Sequence, residues 1–105
     1  MNIPQERRLN KRYITLNTEY HVSEDTCVGV RCRHSEAWIE DHMAVGRNLS
    51  GGLIRTSHGY TPARPGPGAS LWFDAGGMDI VTSTVITVDR PEKVAVEYYQ
   101  ESLAA

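Results

Sequence analysis

Residues 13–22 alternate without a break. Ile14, Leu16, Thr18, Tyr20 and Val22 fall on one parity, and Tyr13, Thr15, Asn17, Glu19 and His21 on the other. Side chains of an extended chain point alternately to opposite faces, so this pattern reads as one strand with an inward and an outward side. β-Branched and aromatic residues dominate it, as a pleated surface prefers. His21 then reads as a surface histidine. Ser23-Glu24-Asp25 makes a turn. Residues 26–33 read as a second strand in hairpin register, with Val28, Val30 and Cys32 inward and Arg31 and Arg33 outward.

The rest of the chain continues in this style. Ala37-Trp38-Ile39 is a short apolar segment interrupted by Glu40-Asp41-His42. Residues 43–55 hold a third strand, and 57–70 (SHGYTPARPGPGAS) read as a surface loop without regular structure, given three prolines and three glycines. Leu71-Trp72-Phe73-Asp74 is a short strand, and Ala75-Gly76-Gly77-Met78 a hairpin turn. Residues 79–88 are β-branched almost throughout and read as a central strand. After a turn at Asp89-Arg90-Pro91-Glu92, residues 93–99 read as a closing strand with Val94, Val96 and Tyr98 inward. The chain is thus all-β, without a convincing helix. Its size favours a single small antiparallel β-barrel of six or seven strands, since closure leaves fewer unpaired edges.

One domain fits 105 residues. There is no apolar run of about 18 residues that could cross a membrane, and no signal-peptide core, so a cytoplasmic location is expected. Cys27 and Cys32 read as free thiols. Charge is uneven: residues 1–12 hold four of the eleven basic residues and one of the thirteen acidic ones. A basic N-terminal arm (1–12) therefore precedes an acidic body (13–105), which suggests an anionic ligand for the arm or docking of the arm on an acidic surface. The acidic body argues against general DNA binding.

Two stretches carry candidate chemistry. The first is Arg7, Arg8, Lys11 and Arg12. The second is Gly46–Ile54, where Asn48 and Ser50 share one side of an extended chain and Leu49 anchors the other. Gly51 and Gly52 there allow a bulge or a close backbone approach. His21, His34, His42, His58 and the cysteines lack the tight spacing of a metal site. Asp41, His42 and Ser50 have no nucleophile elbow to make them a hydrolytic triad. Neither an enzyme nor a cofactor is expected.

The order of these features resembles a PilZ domain, the small β-barrel that in many bacteria binds cyclic di-GMP. Arg8 and Arg12 keep the spacing of the family's two-arginine motif. Asn48-Leu49-Ser50-Gly51-Gly52 resembles its second motif, although the glycine falls one residue early and Leu53 stands where the family has glycine. Val94-Ala95-Val96-Glu97-Tyr98 resembles the closing strand. The resemblance implies a signalling or adaptor domain in which Arg8 and Arg12, with Arg7 as auxiliary, grip phosphate and guanine. Asn48 and Ser50 would then bond a guanine edge, and Gly51 or Gly52 would admit the base. Guanidinium forks suit both partners. The alternative is a degenerate PilZ-like module that binds no nucleotide and docks on a protein partner or a second copy. No membrane partner is implied.

Overall fold

The computed structural model describes residues 9–104. Eight strands and one helix follow in order: β1 (Asn10–Ile14), β2 (Thr18–Ser23), β3 (Thr26–Cys32), β4 (Asn48–Thr56), β5 (Gly59–Ala63), β6 (Ser70–Asp74), β7 (Asp79–Thr84), β8 (Thr87–Asp89) and α1 (Lys93–Ala104). They form one antiparallel sheet in the order β7-β6-β4-β3-β2-β1-β8, with β5 added to β4. The all-β reading holds for the sheet, and α1 is the exception.

The run 13–22 is not one strand. It is the end of β1, a tight turn and β2, with Tyr13 opposite Tyr20 and Ile14 opposite Glu19. The Thr15 amide donates to the Thr18 carbonyl at 2.8 Å, leaving Leu16 and Asn17 at an exposed tip. A two-residue turn exchanges parity between its strands, so Tyr13, read as outward, shares the core face of Tyr20 and Val22, whereas Ile14, read as inward, pairs with Glu19 on the other face. β1 also begins at Asn10, which places Lys11 and Arg12 in the sheet rather than in an arm.

The expected closed barrel is not formed. The ladder ends at β7 on one edge and β8 on the other. Both edges come from the stretch expected to be one central strand. The chain switches at buried Val85: its amide donates to the Ala69 carbonyl at 2.8 Å, and the next amide, of Ile86, donates to the Ile14 carbonyl at 2.7 Å. Successive amides therefore serve opposite ends of the sheet, and no ladder joins β7 to β8 among the described residues.

The proline- and glycine-rich stretch is not wholly irregular. β5 pairs with β4 from Gly52–Ala63 to Thr56–Gly59, and Pro62 sits within it. An edge strand tolerates a proline because one side of its backbone needs no partner. Gly52 is required by this return. A Cβ there would lie 2.6 Å from the Arg64 carbonyl oxygen.

Two cores cover the two faces of β1–β3. Tyr13, Tyr20, Val22, Cys27 and Val30 pack on one face with Leu71, Phe73 and Val85. On the other, Val28, Ala95 and Tyr99 form a smaller core with Trp38, Val96 and Tyr98. A bulge after His21, where the ladder passes from Gly29 to Cys27, turns Val28 to this second face. Cys27 and Cys32 are free.

Residues 93–99 are helical, correcting the closing strand. The Glu92 carbonyl accepts the amides of Ala95 and Val96 at 3.0 and 3.1 Å, starting α1 immediately after Pro91-Glu92. Ala95 and Tyr99, four apart, are buried, while Val94 faces water. Lys, Ala, Glu, Gln and Leu also favour a helix here.

Two substitutions test this packing by denaturant unfolding. Gly52→Ala should destabilise by about 1–3 kcal/mol, because a backbone carbonyl must move. The Tyr99 hydroxyl is buried without a partner, so Tyr99→Phe should leave stability unchanged or raise it. A loss above about 1 kcal/mol would mean that the hydroxyl is bonded.

Candidate functional site

The face beneath α1 is charged where it meets β1, β2 and β3. Glu19 and Arg31 are opposite each other in the β2–β3 ladder, and Arg12 is opposite both His21 and Asp89. Arg31 donates from Nε to Glu19 Oε1 at 2.9 Å and from Nη2 to Glu92 Oε1 at 2.8 Å. Arg12 grips Asp89 with two bonds of 2.7 Å, from Nε to Oδ1 and from Nη2 to Oδ2. Its Nη1 reaches Glu92 at 2.8 Å and lies 3.7 Å from Glu19 Oε1. Two guanidiniums thus meet three carboxylates.

His21 completes this cluster. It is 0% exposed, with Glu19 and Arg31 each at 5%, which corrects the reading of His21 and Arg31 as surface residues. Both sheet faces are covered at this point, so the outward parity is not a solvent parity. His21 Nε2 lies 3.2 Å from Glu19 Oε1, while Nδ1 is buried without a partner. Burial pushes the imidazole pKa down to about 4, against the pull of Glu19. The ring is therefore neutral at physiological pH. The bond to Asp89, chiefly, raises the Arg12 pKa. Burial opposes the charge of Arg31, but its bonds to Glu92 and Glu19 outweigh that and raise its pKa. The bond from Arg31 lowers the pKa of Glu92.

This geometry separates the predicted site residues. Arg7 and Arg8 lie outside the described residues. Arg12 is spent on carboxylates of its own chain. Asn48 stands three strands away, about 14 Å by strand spacing, level with Asn10 through Thr26 and Ser23. It is exposed, and its Oδ1 accepts a 3.3 Å bond from the Thr26 hydroxyl. Ser50 is the extra residue of a bulge, since Leu49 pairs with Phe73 and Gly51 with Trp72. Gly52 receives the Arg64–Pro65 backbone rather than a free surface. His42 Nδ1 accepts the Ala44 amide at 3.0 Å, and no group of three His, Cys, Asp or Glu among the described residues is placed to hold a metal.

The structure instead forms a groove of about 310 Å³ between α1, β3 and the segment after Trp38. On the β3 side it is lined by Val28, Gly29 and Val30, with Val30 itself packed into the larger core and Gly29 lying under Trp38. Trp38, Glu40, Tyr98 and Ser102 line its sides. Trp38 and Tyr98 stack with ring centroids 4.3 Å apart and planes 9° from parallel. Arg31 covers Trp38, its guanidinium carbon 5.1 Å from the ring centroid. Gly29 lets the indole lie against β3, because a Cβ there would sit 2.7 Å from Trp38 Cζ3. The Tyr98 hydroxyl donates to Glu40 Oε1 at 2.9 Å. The sequence marks Trp38 only as part of a short apolar segment and Glu40 as the start of its interruption. The pairing of Trp38 with Tyr98 became visible only once 93–99 was helical.

No family model matches this chain, and no match is found among curated proteins or solved structures.

The cluster makes stability depend on pH. An unfolded chain protonates its histidine near 6.5, whereas folded His21 waits until about 4. The unfolded state therefore binds the extra proton between these values, and stability falls as pH drops through them. Full loss is about 3 kcal/mol, with no contribution from this ring at higher pH. Unfolding of His21→Phe across this window should show a weaker slope. Arg31→Met should cost about 3–5 kcal/mol by stranding buried Glu19, and stability within about 1 kcal/mol of the parent would remove the cluster's structural role.

Proposed function

We propose that this protein is a non-catalytic binding module that docks a protein partner in the Trp38–Tyr98 groove, with Arg12 serving the fold rather than a nucleotide. The observation that carries this reading is the groove itself. The Trp38–Tyr98 stack lines it together with Ile39 and Val45, and the exposed Glu40 carboxylate stands beside them. Such a site suits an apolar side chain next to a cation. The engagement of Arg12 by Asp89 and Glu92 supports the same reading, because two cations already face three carboxylates. An incoming phosphate would have to displace these bonds.

A second reading, cyclic di-GMP binding, has one observation in its favour. A hollow of about 420 Å³ is lined by Leu9, Asn10, Arg90, Pro91, Lys93 and Val96, and Arg8 immediately precedes Leu9 in the chain. Arg90 and Lys93 are exposed there. An anion could be held at this place without Arg12.

Two titrations decide between them. In amide-correlation spectra, the peptide acetyl-Ile-Arg-Tyr-amide should shift Gly29, Ser102 and the Trp38 indole. Glu40→Gln should weaken it by about two- to fivefold, the effect of a rim ion pair. No localised shift would defeat the groove reading. Calorimetry with cyclic di-GMP should give no heat. Micromolar binding lost on Arg90→Glu/Lys93→Glu would establish the nucleotide reading instead.

A further inference from the structure

The chain carries its own candidate occupant for this groove. Between Asp41 and Asp74 there is no acidic residue, while Arg47, Arg55 and Arg64 fall in that interval. The β4–β5 hairpin occupies the middle of this stretch. Every residue from 54 to 62 is exposed, including Ile54 at 42% and Tyr60 at 54%. β5 pairs only with β4, and the β4–β6 ladder ends at Leu53. The ribbon beyond Leu53 therefore projects without a layer on either face. A two-stranded ribbon gains little stability alone. Arg55 and Arg64 form no ion pair among the described residues.

The groove shows the opposite character. Its lining contains Glu40 and no basic residue. Asp41 adjoins it in sequence. Glu97 and Glu101, both exposed, lie one helical turn apart on the helix that supplies Tyr98 and Ser102. The hairpin matches this in register. Arg55 and Tyr60 are direct cross-strand partners, so they share one face, and their Cβ atoms are about 5 Å apart. A guanidinium and a phenol thus arrive together at a site that offers a carboxylate beside an aromatic stack.

The hairpin is directed away from the groove of its own molecule. β4 runs antiparallel to β3 and meets it only at Thr26–Asn48. From that row β4 continues for eight residues to Thr56, about 26 Å at strand rise, while Gly29 lies in the opposite direction along β3.

We propose that the partner is a second copy of this chain, whose β4–β5 hairpin enters the Trp38–Tyr98 groove with Tyr60 against the aromatic stack and Arg55 on Glu40. This rests on reading the groove as a docking site. Reciprocal exchange gives two equivalent contacts and a closed two-fold dimer.

Sedimentation velocity over a concentration series, at low and high salt, tests this. The parent should dimerise, and salt should weaken the dimer. Arg55→Glu and Glu40→Arg should each weaken it by about tenfold or more, because like charges then meet. The double variant, or an equimolar mixture of the two single variants, should regain association. Both positions of substitution are on the surface, and circular dichroism checks that each variant is folded. A dimer unaffected by either single variant overturns the proposal, as does failure of the double variant to recover. A parent that stays monomeric at low salt overturns it too. If acetyl-Ile-Arg-Tyr-amide still binds that monomer, only the second-copy partner is lost; if it does not, the docking reading falls as well.

Discussion

A carboxylate held almost out of water organises this fold. Glu19 sits on β2 with Arg31 beside it, Arg12 nearby and His21 bonded to the same oxygen. A buried charge is tolerable only when it is closely paired. That requirement fixes the register of β1, β2 and β3, since Arg31 must lie opposite Glu19 and Arg12 opposite His21. It also fixes where α1 starts. Glu92 accepts from both arginines through its side chain and from Ala95 and Val96 through its carbonyl. One residue thereby joins the charged sheet face to the first turn of the helix, and Ala95 and Tyr99 follow onto Val28.

The sheet's open shape follows from a second constraint. Residues 79–89 supply both edges, and Val85 is the point of exchange. The larger core lies inside this curve and includes Val85, Leu71 and Phe73. The chain bridges the two edges, although no ladder does among the described residues. β5 is left outside this arrangement, which is why its hairpin is the part of the sheet with the least cover.

Strands were legible where β-forming residues run between clear turn residues. The turns at Glu24-Asp25 and Ala75-Gly76-Gly77-Met78 fall where read, with Ser23 closing β2, and β3 and β6 match their predicted stretches closely. Periodicity failed where a tight turn exchanges the inward and outward parities, at Leu16-Asn17, and where one β-rich run changes partners, at Val85. It failed again at residues 93–99. There, Val94, Val96 and Tyr98 satisfy a period of two, but Ala95 and Tyr99 satisfy the helical spacing that packing selects. The candidate site was the least legible part. Arginine spacing pointed to an anion, yet the partners of Arg12 come from Glu19, Asp89 and Glu92, and nothing local in sequence announces them. The groove needs Gly29, Trp38 and Tyr98 together, three residues that meet only after α1 has crossed the sheet.

Every functional conclusion therefore depends on α1 lying over the charged face. Proton nuclear Overhauser spectra test that placement most directly. Sequential amide–amide contacts are predicted from Lys93 through Ala104. Ring contacts are predicted from His21 to Tyr99, whose centroids lie 5.5 Å apart, and from Trp38 to Tyr98. Cross-strand Hα contacts at residues 93–99, with no contact between the His21 and Tyr99 rings, would contradict the helix, the groove and the dimer built on it.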